Sequence, residues 1–376
     1  MRIYHKQNVY EAALERIAWL FDEFPNVVVS VSGGKDSTVI FELALRVARE
    51  KGRLPLQVMF IDQEGEWAST VEQMQYMMHH KDVKPMWYLM PLRLFNATSG
   101  EDHWLMCWDP ASEADWIHPL DPASEGYRVN DYGTDRFKDL FGAIINKEFA
   151  GTPTANIGGV RAEESTSRLV GLQHLAKYKW VTWGAILDAK LSHYTFYPLY
   201  DWSYTDVWKA IHENHWPYNR LYDLLYQKGI QPMNMRVSNL HHETAVTQLF
   251  NLQEFEPETY ARLTNRLKGI DMAGKLGFDD YFVRQLPFMF ESWREYRDYL
   301  LEHLITNPDW RKRMSKVFVY HDKNLGEKLG DSKYKAHVQA ILTHDWEGVK
   351  LVNFYNSKPT RSARREHLAE VAAGVV

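Results

Sequence analysis

The stretch Asn26-Val-Val-Val-Ser-Val-Ser-Gly-Gly-Lys-Asp-Ser37 joins an apolar segment to a double-glycine turn, and it decides the fold. Residues 27–31 predict a strand that is buried on both faces, as in a parallel sheet. Apolar residues between positions 39 and 47 recur at helical spacing, and they predict a helix that stops at Gly52. The stretch therefore predicts a strand, a tight glycine turn and a helix.

The same alternation continues on both sides of this unit. An amphipathic helix is predicted over residues 8–23, before the strand. After it come a second strand at residues 56–61, a helix over about 67–80 and a third strand at 85–90. This order predicts an α/β protein with a doubly wound, mostly parallel sheet, in which ligands bind at the carboxyl ends of the strands. The glycine turn and Asp62 both fall at that edge.

Two later segments change the pattern. Residues 95–135 are rich in Trp, Asp, Pro and Gly and are interpreted as an insertion, either a lid over the site or an interface. A short strand is predicted at residues 154–157, an extended segment at 194–200 and a helix from Thr205, capped by Asp201 or Ser203. Beyond about residue 230 the pattern is helical. We therefore expect one domain over residues 1–225, which includes the insertion, and a mainly helical domain over 226–376.

The composition narrows the class of protein. The chain has 376 residues, of which 45% are hydrophobic and 25% charged, and no apolar run approaches the roughly 20 residues that span a bilayer. The acidic residues of the first helix argue against a signal peptide, so a cytoplasmic protein without membrane attachment is expected. The formal net charge of −5 gives no general attraction to nucleic acid. Two basic clusters leave indirect nucleic-acid contact open, although solvated surface is the simpler interpretation: Arg311, Lys312, Arg313 and Lys316, and Lys358, Arg361, Arg364 and Arg365.

Cys107 is the single cysteine of the chain. An internal disulfide, a cysteine-ligated iron–sulfur cluster and a Cys-x-x-Cys redox pair are therefore excluded. A lone buried cysteine is usually inert packing, and this is the interpretation for Cys107.

The loop from Ser32 to Ser37 has the chemistry of a polyphosphate site. Gly33 and Gly34 allow backbone N–H groups to turn toward an anion at a helix N-terminus, and the two serines add hydroxyl donors. Lys35 adds a positive charge, and Asp36 is a candidate ligand for a magnesium ion that bridges phosphates. The lysine follows the glycine pair directly, which disfavours the kinase and GTPase loop. The simpler alternative is a glycine turn whose Asp36 and Ser37 only cap the helix.

The Ser-Gly-Gly-x-Asp-Ser loop resembles the signature of the PP-loop ATP pyrophosphatase superfamily, whose fold is of the adenine nucleotide alpha-hydrolase (HUP) type. Further elements are similar to the branch of phosphoadenosine-phosphosulfate (PAPS) reductases, and the match extends over about residues 26–225. These elements are Gly159-Val-Arg-Ala-Glu-Glu-Ser165 with Arg168, Tyr197-Pro-Leu199 with Asp201-Trp202, Asp206-Val-Trp208, and Pro217-Tyr-Asn219 with Leu221-Tyr222.

The resemblance implies an adenine nucleotide, ATP or PAPS, and a set of site residues. Arg161 and Arg168 are expected to clamp phosphate or sulfate oxygens, while Glu164 orients an arginine or binds metal. A surface salt-bridge ladder is the alternative, because Glu164 and Arg168 are four residues apart. Asp62 is either a nucleotide or metal contact or a helix cap. The expected catalytic residues are Lys35, Asp36, Arg161 and Arg168, and the expected nucleotide contacts are Ser32, Gly33, Gly34, Lys35, Ser37, Asp62, Gly159 and Glu164.

Reductases of this branch use a cysteine near the C-terminus, and this chain has none there. The leading hypothesis is therefore an enzyme that cleaves ATP at the α-phosphate, releases pyrophosphate and adenylates a substrate. Two alternatives stay open: a regulator that senses nucleotide without turnover, and a PAPS reductase that borrows a thiol from a partner.

The long C-terminal extension without cysteine is similar to a subgroup of phages, plasmids and genomic islands, the immunoglobulin-binding regulator A proteins. That resemblance implies a ParB-like protein partner.

Overall fold

The computed structural model describes residues 6–96, 103–124, 129–173, 175–237, 239–240, 246–267, 283, 285–324, 330–346, 348 and 351. In these ranges, every helix is too short or too polar to cross a lipid bilayer. The elements in chain order are α1 (Val9–Glu23), β1 (Asn26–Ser30), α2 (Lys35–Glu50), β2 (Leu56–Ile61), α3 (Ala68–Met78), β3 (Val83–Tyr88), β4 (Leu92–Phe95), β5 (Trp104–Cys107), α4 (Phe137–Glu148), β6 (Thr154–Gly158), α5 (Thr166–Gln173), β7 (Gly184–Asp188), β8 (His193–Phe196), α6 (Tyr204–Asn214), α7 (Leu221–Gln227), α8 (Val246–Phe255), α9 (Pro257–Arg266), α10 (Trp293–His303), α11 (Pro308–Asn324) and α12 (Gly330–Leu342).

A six-stranded sheet in the order β3-β2-β1-β6-β8-β7 is the centre of the first part of the chain. All neighbouring pairs are parallel except β8 and the edge strand β7. The chain moves outward from β1 to β3 and then returns to the other side of β1 with β6. The neighbours β1 and β6 therefore flank the point where the strand order reverses, which is where open α/β sheets bind ligands.

The strands are buried because helices cover the sheet. Val27, Val28 and Val29 of β1 are at most 4% exposed, as a central parallel strand requires. Helix α2 follows the glycine turn and buries Val39, Ile40, Leu43 and Val47, the stripe expected from the sequence. Because this apolar stripe is buried, α2 is held with its N-terminus close to the carboxyl end of β1.

Cα packing divides the chain into two compact units. The first comprises Met1–Leu94, Met106–Leu240 and Asn251–Arg266, and the second comprises Phe95–Leu105, His241–Phe250 and Leu267–Val376. Residues 226–240 and 251–266 thus belong to the unit that holds the sheet. The domain boundary at residue 225 stays a prediction.

The second unit is helical and has a core of its own. Side chains from α10, α11 and α12 form this core, among them Trp293, Trp310, Met314, Phe318 and Ile341. The basic cluster at 311–316 lies on α11, whereas the cluster at 358–365 lies outside the described residues. The expectation of a helical C-terminal part is confirmed.

The observed elements differ from the predicted ones mainly at their ends. The third strand is Val83–Tyr88, and α6 begins after Ser203, whose hydroxyl caps the helix by accepting from the Asp206 N–H. Several elements had no prediction, among them helix α4 and the antiparallel edge strand β7. Strand β7 has an irregular register with β8 between Ile186 and Asp188, and such a short, irregular edge strand gives little periodic signal.

Candidate functional site

The loop between β1 and α2 is held open by two glycines. Gly33 has a φ of 69°, in the left-handed region, and a Cβ there would lie 2.7 Å from the Thr70 methyl group. Gly34 is the N-cap of α2 and makes no side-chain cap. The Ser37 and Thr38 hydroxyls instead donate to the Gly34 carbonyl, at 2.8 and 3.1 Å. The positive end of α2 therefore faces the cavity described below without a carboxylate cap, a suitable place for an anion.

The end of β6 lies directly against this loop. A Cβ on Gly159 would stand 2.7 Å from the Asp36 carbonyl oxygen and 2.8 Å from its carbon. Only glycine permits so close a backbone approach. It brings Arg161, at the end of β6, into contact with the loop, although the two segments are 125 residues apart.

The charged side chains at this junction form one connected network. Lys35 Nζ lies 2.8 Å from Asp36 Oδ2, and the other Asp36 oxygen accepts from Arg161 Nε. Arg161 Nη1 reaches Glu163 Oε2 at 3.1 Å, and Arg161 Nε lies 3.9 Å from Glu164 Oε1. Glu164 in turn forms an ion pair with Arg168. The side chains of Lys35 and Arg161 are only 9% and 5% exposed. This network connects Lys35 of the loop to both arginines named from the sequence.

Arg168 lies at the more open side of the network. Burial and, next, the positive charge of Arg236 lower the pKa of the Arg168 guanidinium. Two guanidinium groups that repel each other beside the 32–37 loop favour the binding of an anionic group.

A cavity of about 760 Å³ opens over the loop, in the first unit. Nine of the residues named from the sequence line it: Ser32, Gly34, Lys35, Asp36, Ser37, Gly159, Arg161, Glu164 and Arg168. None of its lining residues among the described ranges comes from 95–135, so a lid over this cavity stays a prediction.

Asp62 lies apart from this cavity. It is fully buried, and its carboxylate accepts from Trp87 Nε1 at 2.8 Å and from the Glu64 N–H at 2.8 Å, with His118 Nε2 at 3.3 Å. Trp108 Nε1 also donates to the Asp62 carbonyl. Both Trp108 and His118 belong to the Trp-rich segment. The described part of that segment therefore packs around Asp62, and a nucleotide contact by Asp62 stays a prediction without support from its position.

Tyr222 and Asn219 are site residues that the sequence reasoning did not single out. The Lys35 N–H donates to the Tyr222 hydroxyl at 3.1 Å, and burial raises the pKa of that hydroxyl, which keeps its proton. Asn219 Nδ2 donates to the Gly33 carbonyl at 3.2 Å and to Thr70 Oγ1 at 3.0 Å. Both residues belong to the Pro-Tyr-Asn-x-Leu-Tyr element, which the sequence shows. The sequence does not show that this element contacts the glycine loop.

Cys107 is fully buried and is not among the residues that line the cavity. Burial and, next, the Glu64 carboxylate raise the pKa of its thiol well above the ordinary value. A thiol that resists ionisation is a poor nucleophile, which agrees with a packing role.

In the described ranges, no three or more His, Cys, Asp or Glu side chains are arranged to hold a metal ion. Asp36 is the one acidic side chain within the loop itself. A site with a single protein carboxylate is compatible with Mg²⁺ only where phosphates and water supply the other ligands.

Residues 26–228, more than half of the chain, match the family model of the phosphoadenosine phosphosulfate reductase domain. The chain belongs to this family. The matched residues include the glycine loop, Arg161, Arg168 and Tyr222, so most of the cavity lining lies in the family domain. Residues 233–237 also line the cavity and lie beyond the match.

The chain is also similar to individual proteins. The chain is 28% identical over 314 residues to the uncharacterized protein YbdN of Escherichia coli (strain K12), covering 80% of this chain and 76% of the relative. Among solved structures, the PAPS reductase of Candida auris in a phosphate complex is 16% identical, with a TM-score of 0.34 over 64% of this chain and 98% of that one. The NH3-dependent NAD synthetase of Campylobacter jejuni subsp. jejuni NCTC 11168 is 12% identical, with a TM-score of 0.32 over 72% and 96%. Membership of the regulator A subgroup stays a prediction.

Proposed function

We propose that the cavity binds ATP with its phosphates at the 32–37 loop, and that the enzyme cleaves ATP between the α- and β-phosphates and transfers AMP to a substrate. The observation that carries this proposal is the convergence of a helix N-terminus without a carboxylate cap, Lys35 and Arg161 at one end of the cavity. These groups match the four negative charges of a triphosphate better than any neutral ligand.

Charge stabilisation by fixed groups supports cleavage as well as binding. Lys35 and Arg161 are held by contacts to Asp36 before any ligand arrives, so little reorganisation is needed as charge develops on the leaving pyrophosphate. The Tyr222 hydroxyl accepts from the Lys35 N–H and retains its own proton, which makes it a donor for a phosphate oxygen. Positioning and charge are the main requirements for displacement at phosphorus, so no protein nucleophile is required.

We propose Asp36 as the protein ligand of a Mg²⁺ ion that arrives with the nucleotide. When bound, the ion neutralises phosphate charge. Arg168 and Arg236 lie beside Glu164 at the open side of the network, and we assign them to the outer phosphates.

The test is turnover of ATP labelled at the α-phosphate, with Mg²⁺, in the full-length protein and with candidate acceptors or partner proteins. AMP or an AMP adduct together with pyrophosphate is the expected result. Lys35→Ala should lower kcat/KM by on the order of 10²- to 10³-fold, because it removes one charge-stabilising donor. Lys51→Ala is the matched control, since Lys51 caps the other end of α2 and pairs with Asp22 on the surface. Release of the γ-phosphate alone, or no ATP binding, would refute the proposal.

PAPS is the second candidate nucleotide, and membership in the reductase-domain family favours it. Because Cys107 is buried with a raised pKa, a reductase reaction would need a thiol from another protein. Sulfite release from PAPS in the presence of thioredoxin is the distinguishing measurement. ATP that binds and is recovered unchanged would support the alternative of a nucleotide-sensing regulator, and loss of ParB-like partner binding after removal of residues 230–376, with ATP binding intact, would support a partner-docking role for that part of the chain.

A further inference from the structure

Helix α11 of the second unit has two faces of opposite character. Its apolar face is buried, because Met314 is fully buried and Phe318 is 2% exposed, and both belong to the core of that unit. From residue 312 onward, five exposed residues fall within an arc of about 100° on the opposite side of the helix. They are Lys312, Lys316, Val319, Tyr320 and Lys323. We call this arc the lysine face.

The three ammonium groups of the lysine face are not neutralised by the described part of the protein. None of them lies within ion-pair distance of a described carboxylate, including that of Asp309 in the first turn of the same helix. On α2, by contrast, Arg46 pairs with Glu50 four positions later, at 2.9 Å. The residue four positions after Lys312 is another lysine, and like charges at this spacing destabilise a helix. An anionic partner would relieve that repulsion.

The spacing of the charges indicates what kind of anion fits. Lys312 and Lys316 are about 6 Å apart along the helix axis, and Lys323 lies about 10 Å further on. A small anion cannot contact all three lysines at once, whereas a polymer with repeated negative charges can. A lipid surface is disfavoured, because the apolar face of α11 is part of the core and cannot enter the membrane interface.

Tyr320 adds a second kind of contact to the lysine face. It is 63% exposed and lies between Lys316 and Lys323 in the helix. An exposed aromatic ring among cations is the arrangement on which unpaired bases stack while their phosphates contact the charges. Duplex bases are already stacked on each other and do not offer their faces to a side chain. The aromatic ring therefore favours a single strand.

We propose that the lysine face binds a single-stranded nucleic acid, with phosphates on the lysines and a base stacked on Tyr320. The inference goes beyond the proposed function. It concerns a helix of the second unit, outside the family match at residues 26–228, and it requires no turnover of ATP. Phosphates and base faces are common to DNA and RNA, so the experiment distinguishes these two sources.

The experiment measures the fluorescence anisotropy of labelled oligothymidylate and oligouridylate, each of about 16 nucleotides, titrated with the full-length protein. The affinity should fall as the salt concentration rises from about 50 to 200 mM. The slope of log K against log salt should be about −2, which corresponds to three lysine–phosphate contacts on a single strand. Tighter binding of one oligonucleotide identifies DNA or RNA as the ligand. The duplex of oligothymidylate with oligoadenylate should bind more weakly than the single strand.

Two triple variants separate the lysine face from the total charge of the protein. Replacing the three lysines of the face by glutamine should weaken oligonucleotide binding on the order of tenfold or more and bring the salt slope close to zero. The matched control is Lys81→Gln/Lys84→Gln/Lys209→Gln, which removes the same charge from exposed lysines of the first unit. Distant charges are screened by salt, so the control should keep the affinity within about threefold.

Tyr320→Ala should weaken binding about tenfold at an unchanged salt slope, and Tyr320→Phe should retain the wild-type affinity, because stacking requires the ring and not the hydroxyl. Thermal unfolding of each variant checks that the fold is kept. Wild-type affinity in the lysine-face variant, an equal loss in the control, or equal affinity for the duplex would each overturn the inference. Tighter binding to phosphatidylserine vesicles or to polyglutamate than to either oligonucleotide would overturn it as well.

Discussion

Gly159→Ala provides a sharp test of the contact between β6 and the glycine loop. The added methyl group would lie 2.7 Å from the Asp36 carbonyl oxygen and 2.8 Å from its carbon, whereas ordinary van der Waals contact begins at about 3.4 Å. Since both obstacles are backbone atoms, no side chain can rotate away. The loop and the end of β6 must therefore separate by about 0.7 Å.

This separation would act on ligand geometry more than on the fold. It would move Arg161 away from Asp36 and Lys35 by a similar distance, and misplacement of about 1 Å in a phosphate-transfer site costs on the order of 10²-fold in rate. We expect kcat/KM for AMP formation to fall by at least tenfold, and the affinity for the non-cleavable α,β-methylene analogue of ATP to fall as well. Steady-state kinetics, calorimetry and thermal unfolding of the same preparation measure the three quantities.

Gly142→Ala is the matched control for this prediction. Gly142 lies within α4, and a Cβ there would meet no heavy atom within 4 Å. Alanine in a helix interior should stabilise the protein by roughly 0.5–1 kcal/mol and leave kinetics unchanged. A Gly159→Ala variant with the kinetics and nucleotide affinity of the wild type would refute the argument that this close approach sets the geometry of the site.

Three further predictions concern buried titratable groups. Burial and, next, the Asp62 charge raise the pKa of Glu66 to about 8, so ionisation of this carboxyl opposes folding. The stability that the protonated carboxyl contributes below about pH 4.5 is lost as the pH rises through 8. In urea unfolding, the free energy of unfolding of Glu66→Gln should therefore gain a few kcal/mol over that of the wild type between pH 5 and 9. Burial and, next, the Arg297 charge lower the pKa of His337 to about 3. The stability that the neutral imidazole contributes above about pH 6.5 is therefore lost as the pH falls toward 3. The midpoint of urea unfolding should drop more steeply between pH 7 and 4 in the wild type than in His337→Gln, and parallel pH curves of the two proteins would contradict this. Cys107→Ser should change ATP turnover by less than twofold, because the thiol is buried outside the cavity; a large loss of turnover at unchanged thermal stability would show that the thiol takes part in the reaction.

The sequence determined much of the fold and several of the residues that line the cavity. The strand, double glycine and helix around Ser32 to Ser37 lie where the pattern predicts them. The parallel order of β1, β2 and β3 follows from the βαβ alternation. Arg161, Glu164 and Arg168 line the same cavity as the loop, and the roles that the family resemblance implies for them stay predictions. These features depend on periodicity, turn chemistry and short motifs, all of which are properties of residues close together in the chain.

The direction of the Asp62 side chain could not be predicted from the sequence. Its position after β2 predicts the correct edge of the sheet, but the side chain turns toward Trp87 and His118 and away from the cavity. The direction is set by the packing of the Trp-rich segment against Asp62. No pattern of neighbouring residues in the sequence predicts where that segment packs. The same is true of the edge strand β7, which pairs antiparallel with its neighbour.

The sequence by itself therefore determined that a strand, a glycine loop and a helix N-terminus follow one another in a doubly wound sheet, which makes this loop a candidate anion site. Only the tertiary structure decided what surrounds that loop: Tyr222 on the Lys35 N–H, Gly159 against Asp36, and the hydrogen bonds that join Ser30, Asn156 and Thr195 across β1, β6 and β8. The physical reason is that backbone preferences act between neighbours in the chain, whereas these contacts join residues from 39 to 187 positions apart and exist only once the helices have packed on the sheet.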